Sequence, residues 1–456
     1  MKKLALCMIG CGMAATIQAQ SGPWTLRQCC DYAVEHNISI RQQENACQQQ
    51  SIQLQSSKAQ RLPDLSASVG QNFSFGRGLT ADNTYTNTNT SSTSFSVGTS
   101  VPLFTGFQIP NQIKLSRLNL EAATADLEKA KNDICVQVAQ AYVQILYDME
   151  IADVAHRQIA IDSAQVFRLQ TLLGVGKASE AELSQQKATL AQSRLTATQA
   201  DNNLSLAYLT LTQLLELDSP EGFSIERPKA SLSAASILGD GTGEALSGTV
   251  GGTSIPLPDA IFAEAVGVKP EVQAASIRVT ASERNIDIAR AGLYPSLSFS
   301  AGLGTNYYTT SGFKADGFST QLKNNFSQYL GLNLSIPIFN RFQTRNSIRS
   351  ARIDRENQLL ALDNTKKTLY KEIQTAYYNT IAAQEKLNSS NLARQASQDA
   401  FRLVQAKYEN GKATITEFNE SKNNYLKAES DLTQARYEYL YQQALIQFYR
   451  GLPLEL

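Results

Sequence analysis

Four stretches of the chain alternate apolar residues with small polar ones, the pattern of a β-strand with one apolar and one wet face. They cover residues 65–75, 95–103, 297–307 and 330–338, and their wet positions are almost all Ser, Gly and Asn. Each predicted strand is about ten residues long, which is the length that a tilted strand needs to cross a bilayer. Residues 79–93 are rich in Thr, Asn and Ser and predict a loop. Small polar groups suit a face that lines water, so the pattern favours membrane strands over the edge of a soluble β-sandwich.

Long helical patterns follow each pair of strands. After Pro110 no proline occurs up to residue 172, and apolar residues such as Ile134, Val138 and Ala141 recur at spacings of four and three. As one helix this stretch would be on the order of 95 Å long, a rod that no ordinary globular domain needs. Helices are predicted at residues 110–172, 180–217, 344–407 and 415–448, with shorter ones at 26–59, broken near Asn37, and at 259–291, broken at Pro270.

The second half of the chain repeats the first. Pro102 and Phe104 recur as Pro337 and Phe339, with 337 − 102 = 235, and the same offset relates many positions of the long helices. A constant offset over such a length predicts two copies of one structural unit. We predict a first repeat at residues 20–217 with a β-hairpin at 64–104, and a second at residues 258–456 with a β-hairpin at 296–339. Residues 218–257 are rich in Gly, Ser, Thr and Ala without periodicity, and predict a linker or a small belt outside the main body.

The N-terminus predicts export. Lys2 and Lys3 precede an apolar run over residues 4–17, and Ala19 supplies a small residue for cleavage, so residues 1–19 are interpreted as a signal peptide. The run is shorter than the roughly 20 residues of a spanning helix. In an alternative interpretation Gly10-Cys11 is a lipoprotein cleavage site and Cys11 carries lipid.

Composition and residue chemistry exclude several classes of protein. The 41 basic and 41 acidic residues give zero net charge, so no footprint for nucleic acid is visible. Four cysteines of the mature chain, Cys29, Cys30, Cys47 and Cys135, lack metal-ligand spacing and are interpreted as small buried side chains. We expect no cofactor, no metal site and no enzymatic activity.

Four strands cannot close a barrel. Open strand edges in lipid would leave backbone groups unpaired at several kcal/mol each, so the chain is expected to oligomerise. Two copies would give eight strands with a filled interior, whereas three would give twelve strands and a lumen. The small Ser/Gly/Asn face favours the wider barrel.

Three weak motifs recur in a fixed order along the mature chain. A proline precedes the first strand of each half, "Pro-x-Phe-x-x-Phe" follows each second strand, and Gly-Lys-Ala-Thr stands at a helical turn from residue 411. In this order and spacing the chain resembles the TolC family of outer-membrane factors. The resemblance implies a mainly helical protein with membrane strands: a homotrimer with a twelve-stranded β-barrel in the outer membrane of a Gram-negative bacterium, continuous with a twelve-helix α-barrel in the periplasm.

The resemblance also implies a function. Such proteins are passive exit ducts of tripartite efflux pumps or type I secretion systems, joined to an inner-membrane transporter through a periplasmic adaptor. The competing hypothesis is an exported trimeric coiled-coil stalk or adhesin with a strand-barrel anchor, which predicts no conductance and no partner pump.

Candidate residues of the periplasmic entrance follow from the family's second helical turn. Tyr408, Glu417 and Glu420 match positions near that entrance. Glu417 and Glu420 share a helix face, and a trimer would gather six carboxylates around one axis, where they would favour cations; alternatively, both are solvated on the outer face. Ala413 stands where a family member has an arginine that helps to hold the entrance shut. Lys412 or Arg402 could replace it, or the closed state could be held otherwise.

Glycines mark the two helical turns. Gly174, Gly176 and Gly411 supply backbone freedom where antiparallel helices reverse. With Lys177 and Lys412 they form the predicted contact sites for the adaptor. They can also be interpreted as ordinary tips of helical hairpins, and both interpretations can hold at once.

Overall fold

The computed structural model describes residues 22–79, 83–227, 249–250, 253–254 and 256–455. The predicted signal peptide, the alternative lipidated Cys11 and residues 228–248 of the predicted linker lie outside the described residues.

Helices make up most of the described chain. They are α1 (Leu26–His36), α2 (Ile38–Ala59), α3 (Gln108–Gly174), α4 (Glu180–Leu214), α5 (Pro258–Val268), α6 (Pro270–Ala291), α7 (Phe318–Asn324), α8 (Gln343–Glu409) and α9 (Ile415–Tyr449). Their bounds agree with the predicted helices to within a few residues. None of the described helices carries an apolar segment long enough to cross a membrane.

The long helices form two antiparallel hairpins. In the first helical hairpin α3 has 67 residues and α4 has 35, and in the second α8 has 67 and α9 has 35. The longer members span about 100 Å at 1.5 Å per residue. The two hairpins contact each other through α3 and α9, a contact that we call the α3–α9 seam.

The predicted breaks in the shorter helices are confirmed. Asn37 has an extended backbone, and its side chain accepts a hydrogen bond from the amide of Ser39 (2.9 Å), so it ends α1 and caps α2. Lys269 is also extended, and Pro270 opens α6, where its missing amide is not needed.

The strands are β1 (Asp64–Leu79), β2 (Tyr85–Thr105), β3 (Thr249–Val250), β4 (Thr253–Ser254), β5 (Ser296–Thr310) and β6 (Ser327–Ser335). Antiparallel pairing joins four of them in the order β1-β2-β5-β6, and β3 pairs only with β4. The register keeps the two predicted faces separate. Val97 lies opposite Ala67 and Leu303, whereas Gly98 lies opposite Ser66 and Gly302. The sheet therefore carries one continuous apolar face and one face of small polar residues.

The predicted loop at residues 79–93 was wrong, because β2 already begins at Tyr85. Its Thr and Asn residues pair directly with β1, Thr88 with Gly76 and Thr90 with Ser74. Both faces of this run are polar, so it shows no alternation, although Thr is a good strand former. Three strands are consequently longer than the predicted ten residues, with 16, 21 and 15 residues.

The fourth strand ends earlier than predicted. β6 stops at Ser335, two residues before Pro337, which has no amide to donate to a ladder. β6 pairs with β5 only up to Gly304. Beyond that residue, α7 covers the open edge of β5. There the side-chain amide of Gln321 accepts from the amide of Tyr308 and donates to its carbonyl, both at 2.9 Å.

The beginning of the predicted linker packs against the main body and not outside it. Ile225 is buried, and the hydroxyl of Tyr142 in α3 donates to the carbonyl of Glu226 at 2.6 Å. The N-terminal segment also contacts the start of the linker, because the backbone amide of Trp24 donates a hydrogen bond to the carbonyl of Ser224 at 2.8 Å. The apolar residues of this short segment are only two positions apart, so the sequence showed no periodicity from which its packing could be predicted.

The four cysteines of the described chain are free thiols. Cys29 and Cys30 are buried as predicted, whereas Cys47 and Cys135 are half-buried.

We expect Gly106→Ala to destabilise the junction between β2 and α3. Gly106 has φ +61°, and a Cβ atom there would lie 2.6 Å from the carbonyl oxygen of Ala291. The left-handed conformation alone costs about 1–2 kcal/mol for an alanine. Thermal unfolding of the detergent-solubilised protein, followed by circular dichroism, should show a lower midpoint. Gly267→Ala is the control, since its Cβ would meet nothing within 4 Å; equal midpoints for the two variants would contradict the prediction.

Candidate functional site

The same backbone motif builds the tips of both helical hairpins. Gly176 and Gly411 have φ values of 72° and 69°, which favour glycine. The amides of Lys177 and Lys412 each donate to the carbonyl five residues before them, at 2.8 Å. This pattern is the Schellman ending of a helix. Gly174 is the last residue of α3, and the side chains of both lysines are exposed.

A capping box opens the second helix of each hairpin. In α9 the amide of Thr414 donates to Glu417 Oε2 (2.7 Å), and the amide of Glu417 donates to Thr414 Oγ1 (3.2 Å). The hydrogen bond from the Thr414 backbone is the main reason that the pKa of Glu417 lies below its usual value. Ser179 and Glu182 make the same box in α4. Glu417 thus has a capping role that sequence analysis did not assign to it.

Glu417 and Glu420 are exposed in one protomer. Glu420 makes no hydrogen bond or ion pair with any other described residue. The structure thus brings the two acidic groups to the start of α9 and leaves both carboxylates open to solvent.

Tyr408 lies between the two hairpins. Its ring stacks on Phe418 with centroids 5.0 Å apart, and the guanidinium of Arg168 in α3 lies 5.2 Å from its centroid. Arg168 also donates to the carbonyl of Glu409 at 3.3 Å. Burial raises the pKa of the Tyr408 phenol. The predicted site residue Tyr408, which lies in α8, therefore packs between α9 and α3.

A small hydrophobic cluster holds both tips at the same end of the molecule. Its buried members come from α3, α4 and α9, and Phe418 at their centre is 1% exposed. They are Val166, Leu169, Leu183, Ile415 and Phe418.

A buried ion pair lies next to this cluster, and sequence analysis missed it. Lys422 Nζ in α9 donates to Asp162 Oδ1 in α3, and their side chains are 1% and 0% exposed. A signal was present, because Lys422 follows Ile415 by seven residues and Phe418 by four and so shares their apolar stripe. A charged residue on such a stripe points to a buried partner.

Arg402 and Lys412 are the predicted candidates to replace the arginine that is missing at Ala413. Arg402 and Lys412 are exposed and form no ion pair with the described residues. Among the described residues, Lys422 and Arg157 make ion pairs across the α3–α9 seam, and the guanidinium of Arg157 lies 3.2 Å from the carboxylate of Glu429. Arg168 of α3 contacts the end of α8 instead.

Comparison with known proteins assigns the chain to a family. A family model described as "Outer membrane efflux protein" matches residues 30–216 and 263–452, which is most of the chain. The chain belongs to this family. The resemblance to the TolC family is thereby confirmed, and the outer membrane efflux protein is a passive outer-membrane channel and not an enzyme.

Two relatives from Pseudomonas aeruginosa align along most of their length. The chain is 27% identical to the pyoverdine export outer membrane protein OpmQ over 412 residues, covering 86% of this chain and 77% of the relative. It is 25% identical to the outer membrane protein OprJ over 395 residues, covering 85% and 75%.

Solved structures show the same fold at lower identity. Superposition on CusC gives a TM-score of 0.74 at 16% identity, covering 94% of this chain and 92% of CusC. Superposition on VceC from Vibrio cholerae gives 0.73 at 17% identity, covering 94% and 97%. The chain therefore has the fold of these outer-membrane channels.

We expect Lys422→Met to destabilise the protein by about 3–5 kcal/mol, because it leaves the buried Asp162 carboxylate without its cation. The double variant Asp162→Asn/Lys422→Met should recover a large part of this loss, because no buried charge remains. Guanidinium-induced unfolding in detergent measures both.

Glu429→Gln is the control for Lys422→Met. It removes an exposed ion pair from the same seam, and we expect a change below about 1 kcal/mol. A Lys422→Met variant as stable as this control would show that the buried pair contributes nothing.

Proposed function

We propose that three copies of the chain form a twelve-stranded β-barrel in the outer membrane, continuous with a twelve-helix α-barrel in the periplasm. The observation that carries this proposal is the four-stranded sheet with two open edges. β1 and β6 each pair on one side only, and the apolar face is exposed, with Leu65 and Leu330 both more than three-quarters accessible. A closed ring of three sheets would pair the edges, and lipid would cover the apolar face.

Matching element lengths support an internal duplication in this assembly. The shorter helices have 11 and 22 residues before each pair of sheet strands, and the hairpin helices have 67 and 35 residues after it. Two equivalent units per copy would place six similar units around the ring. Twelve strands would leave an open lumen, lined by the small polar face of the sheet.

The assembly would serve as the exit duct of a tripartite efflux pump. The family description and the name of OpmQ, a pyoverdine export protein, support efflux or export, and a type I secretion system would use the same duct. An inner-membrane transporter would supply the energy. A periplasmic adaptor would contact the exposed hairpin tips at Gly174, Gly176, Lys177, Gly411 and Lys412. The family match gives no support to the alternative of a stalk or adhesin.

Native mass spectrometry from detergent micelles tests the assembly. We expect the mass of a trimer, because unpaired edges in an apolar medium cost several kcal/mol per backbone group. Circular dichroism of the same sample should show strand as well as helix. A stable water-soluble monomer would refute the proposed barrel.

We further propose that Glu417 and Glu420 face the lumen and form an acidic ring at the periplasmic entrance. Their exposure within one protomer supports this, and so does the absence of a cation next to Glu420 among the described residues. Six carboxylates around one axis would attract cations and repel anions.

We expect Glu417→Gln/Glu420→Gln to lower the preference for cations over anions in planar-bilayer recordings. The helix start should remain intact, because Gln28 already fills the position of Glu417 in the capping box of α1. Glu182→Gln is the matched control, since it makes the same change in the capping box of α4. Unchanged ion selectivity of the double variant would place both glutamates outside the lumen.

A further inference from the structure

A stripe of unpaired arginines begins where the sheet ends. Arg345, Arg349 and Arg352 follow each other at spacings of four and three in the first three turns of α8, so they share one helix face. Arg341 lies in the turn just before the helix. All four side chains are exposed, and none of them makes a hydrogen bond or ion pair with any described residue. We call these four residues the arginine stripe.

The first repeat carries a shorter version of the stripe. The offset of 235 relates Arg349 to Lys114 and Arg352 to Arg117 in α3, with 349 − 235 = 114 and 352 − 235 = 117. Both residues of α3 are exposed, and neither has a hydrogen-bond or ion-pair partner within the described parts of the chain. Positive charge at these positions is therefore a property of both structural units.

The run of positive charge ends at the same depth in both repeats. Arg117 and Arg352 each lie nine residues from the start of their helix, with 117 − 108 = 9 and 352 − 343 = 9, which is about 14 Å at 1.5 Å per residue. Four residues later on the same faces the charge changes sign, to Glu121 in α3 and to Glu356 in α8. The basic residues are thus concentrated in the first turns below the sheet.

Exposed aromatic side chains stand directly next to the stripe. Phe339 and Phe342 pack edge to face with ring centroids 5.4 Å apart, and Phe104 and Phe107 do the same at 5.2 Å. The neighbouring Ile338 is 95% exposed. Girdles of aromatic residues lie where a membrane barrel passes from lipid into water. The arginine stripe therefore begins at the predicted lipid–water boundary.

The stripe lies on the side of the helices on which α1 and α5 pack. Lys114, Glu128 and Cys135 are spaced by 14 and 7 residues and share one face of α3, and the latter two line a cavity together with α1 and the C-terminal segment. The equivalent of Cys135 in α8 is Tyr370, with 370 − 135 = 235, and its hydroxyl donates to Asp259 of α5 at 2.7 Å. A duct needs an open lumen, so in the proposed assembly α1 and α5 lie outside the ring, and the stripe faces outwards with them.

Like charges at these spacings need an anionic partner. Arg345 and Arg349 are four residues apart, a distance at which like charges destabilise a helix. Guanidinium groups bind phosphate oxygens in a bidentate manner. The headgroup region of one leaflet is on the order of 5–8 Å deep, arginine side chains extend towards such an interface, and attraction between charges acts over about 8–10 Å at physiological salt. Phosphate groups of the membrane are therefore within range of the whole stripe.

We propose that the arginine stripe, together with Lys114 and Arg117, binds the anionic headgroups of phospholipids in the periplasmic leaflet of the outer membrane. This inference rests on the proposed trimeric duct. Three copies would surround the base of the barrel with 18 such cations, since each copy supplies six. The bound lipid would fix the depth of the barrel in the membrane at the point where strands become helices.

Native mass spectrometry of the delipidated protein in detergent tests the proposal. Dioleoyl phosphatidylglycerol, which is anionic, and dioleoyl phosphatidylcholine, which is zwitterionic, are titrated separately, so that only the headgroup differs. We expect the unsubstituted protein to bind the anionic lipid more tightly. Arg345→Gln/Arg349→Gln/Arg352→Gln should weaken that binding by about tenfold or more, because each cation near an anionic surface contributes about fivefold in affinity. Binding of phosphatidylcholine should not change.

Lys371→Gln/Arg402→Gln/Lys407→Gln is the matched control. It removes three exposed cations without a described partner from the same helix, further from the sheet, and should bind both lipids like the unsubstituted protein. Equal affinity of the unsubstituted protein for the two lipids, or an equal loss in the control, would overturn the proposal. So would a stripe variant that keeps its affinity for phosphatidylglycerol but changes its ion selectivity in planar bilayers, because the arginines would then face the lumen.

A second variant, Lys114→Gln/Arg117→Gln, tests the first repeat by itself and should show a smaller loss of phosphatidylglycerol binding. An unchanged affinity would remove these two residues from the site. The same spectra report the mass of the assembly. A trimer without preference for the anionic lipid contradicts this inference alone, whereas a monomer contradicts the proposed duct.

Discussion

Every backbone amide and carbonyl within a bilayer needs a partner inside the protein, and this requirement shapes the whole molecule. The sheet of one chain satisfies it for β2 and most of β5, which have neighbours on both sides, but not for the outer edges of β1 and β6. Each unpaired group in hydrocarbon costs several kcal/mol. In the proposed assembly a single copy is one segment of the barrel wall, and its helices continue that segment beyond the membrane. Left-handed residues such as Phe107 and Phe342 turn the chain from strand into helix at both junctions.

Narrow contacts hold the long helices together. In one hydrophobic cluster between α3 and α4 the buried members are alanines, Ala152 and Ala155 of α3 with Ala197 and Ala200 of α4. Small residues let the two helices approach each other closely. Such contacts specify register weakly, and one buried polar cluster is a way to fix it. The Asp162–Lys422 pair supplies that specification between the two hairpins.

Much of the fold could be predicted because its boundaries carry local signals. Asn37 and Pro270 end helices through capping and ring geometry, and the glycines at both tips reverse the chain. The predicted strand bounds were wrong where a run of Thr and Asn has polar residues on both faces, because such a run shows no alternation of apolar and polar residues. Only the register with β1 shows that residues 85–93 belong to a strand.

The site was harder to predict because its decisive contacts are tertiary. Tyr408 was predicted as an entrance residue from its place before the second turn, but its stacking on Phe418 depends on how α8 packs against α9. The residues next to Lys422 in the sequence indicate an ordinary surface lysine. Only its position on the same helix face as Ile415 and Phe418 indicates that it is buried. Asp162 lies 260 residues away from it along the chain, and no local pattern links the two. Long-range pairing of charges is therefore the part that sequence reasoning missed.

The capping boxes have an evolutionary consequence. The third helical position needs only an oxygen that can accept a bond from the backbone, which is why a carboxamide serves in α1 and a carboxylate serves in α4 and α9. Natural selection can exchange these two groups without unwinding the helix behind them. In the proposed duct, ionic preference and structural integrity would thereby be separable traits, and a lineage adapting to new cargo could retune the first while inheriting the second.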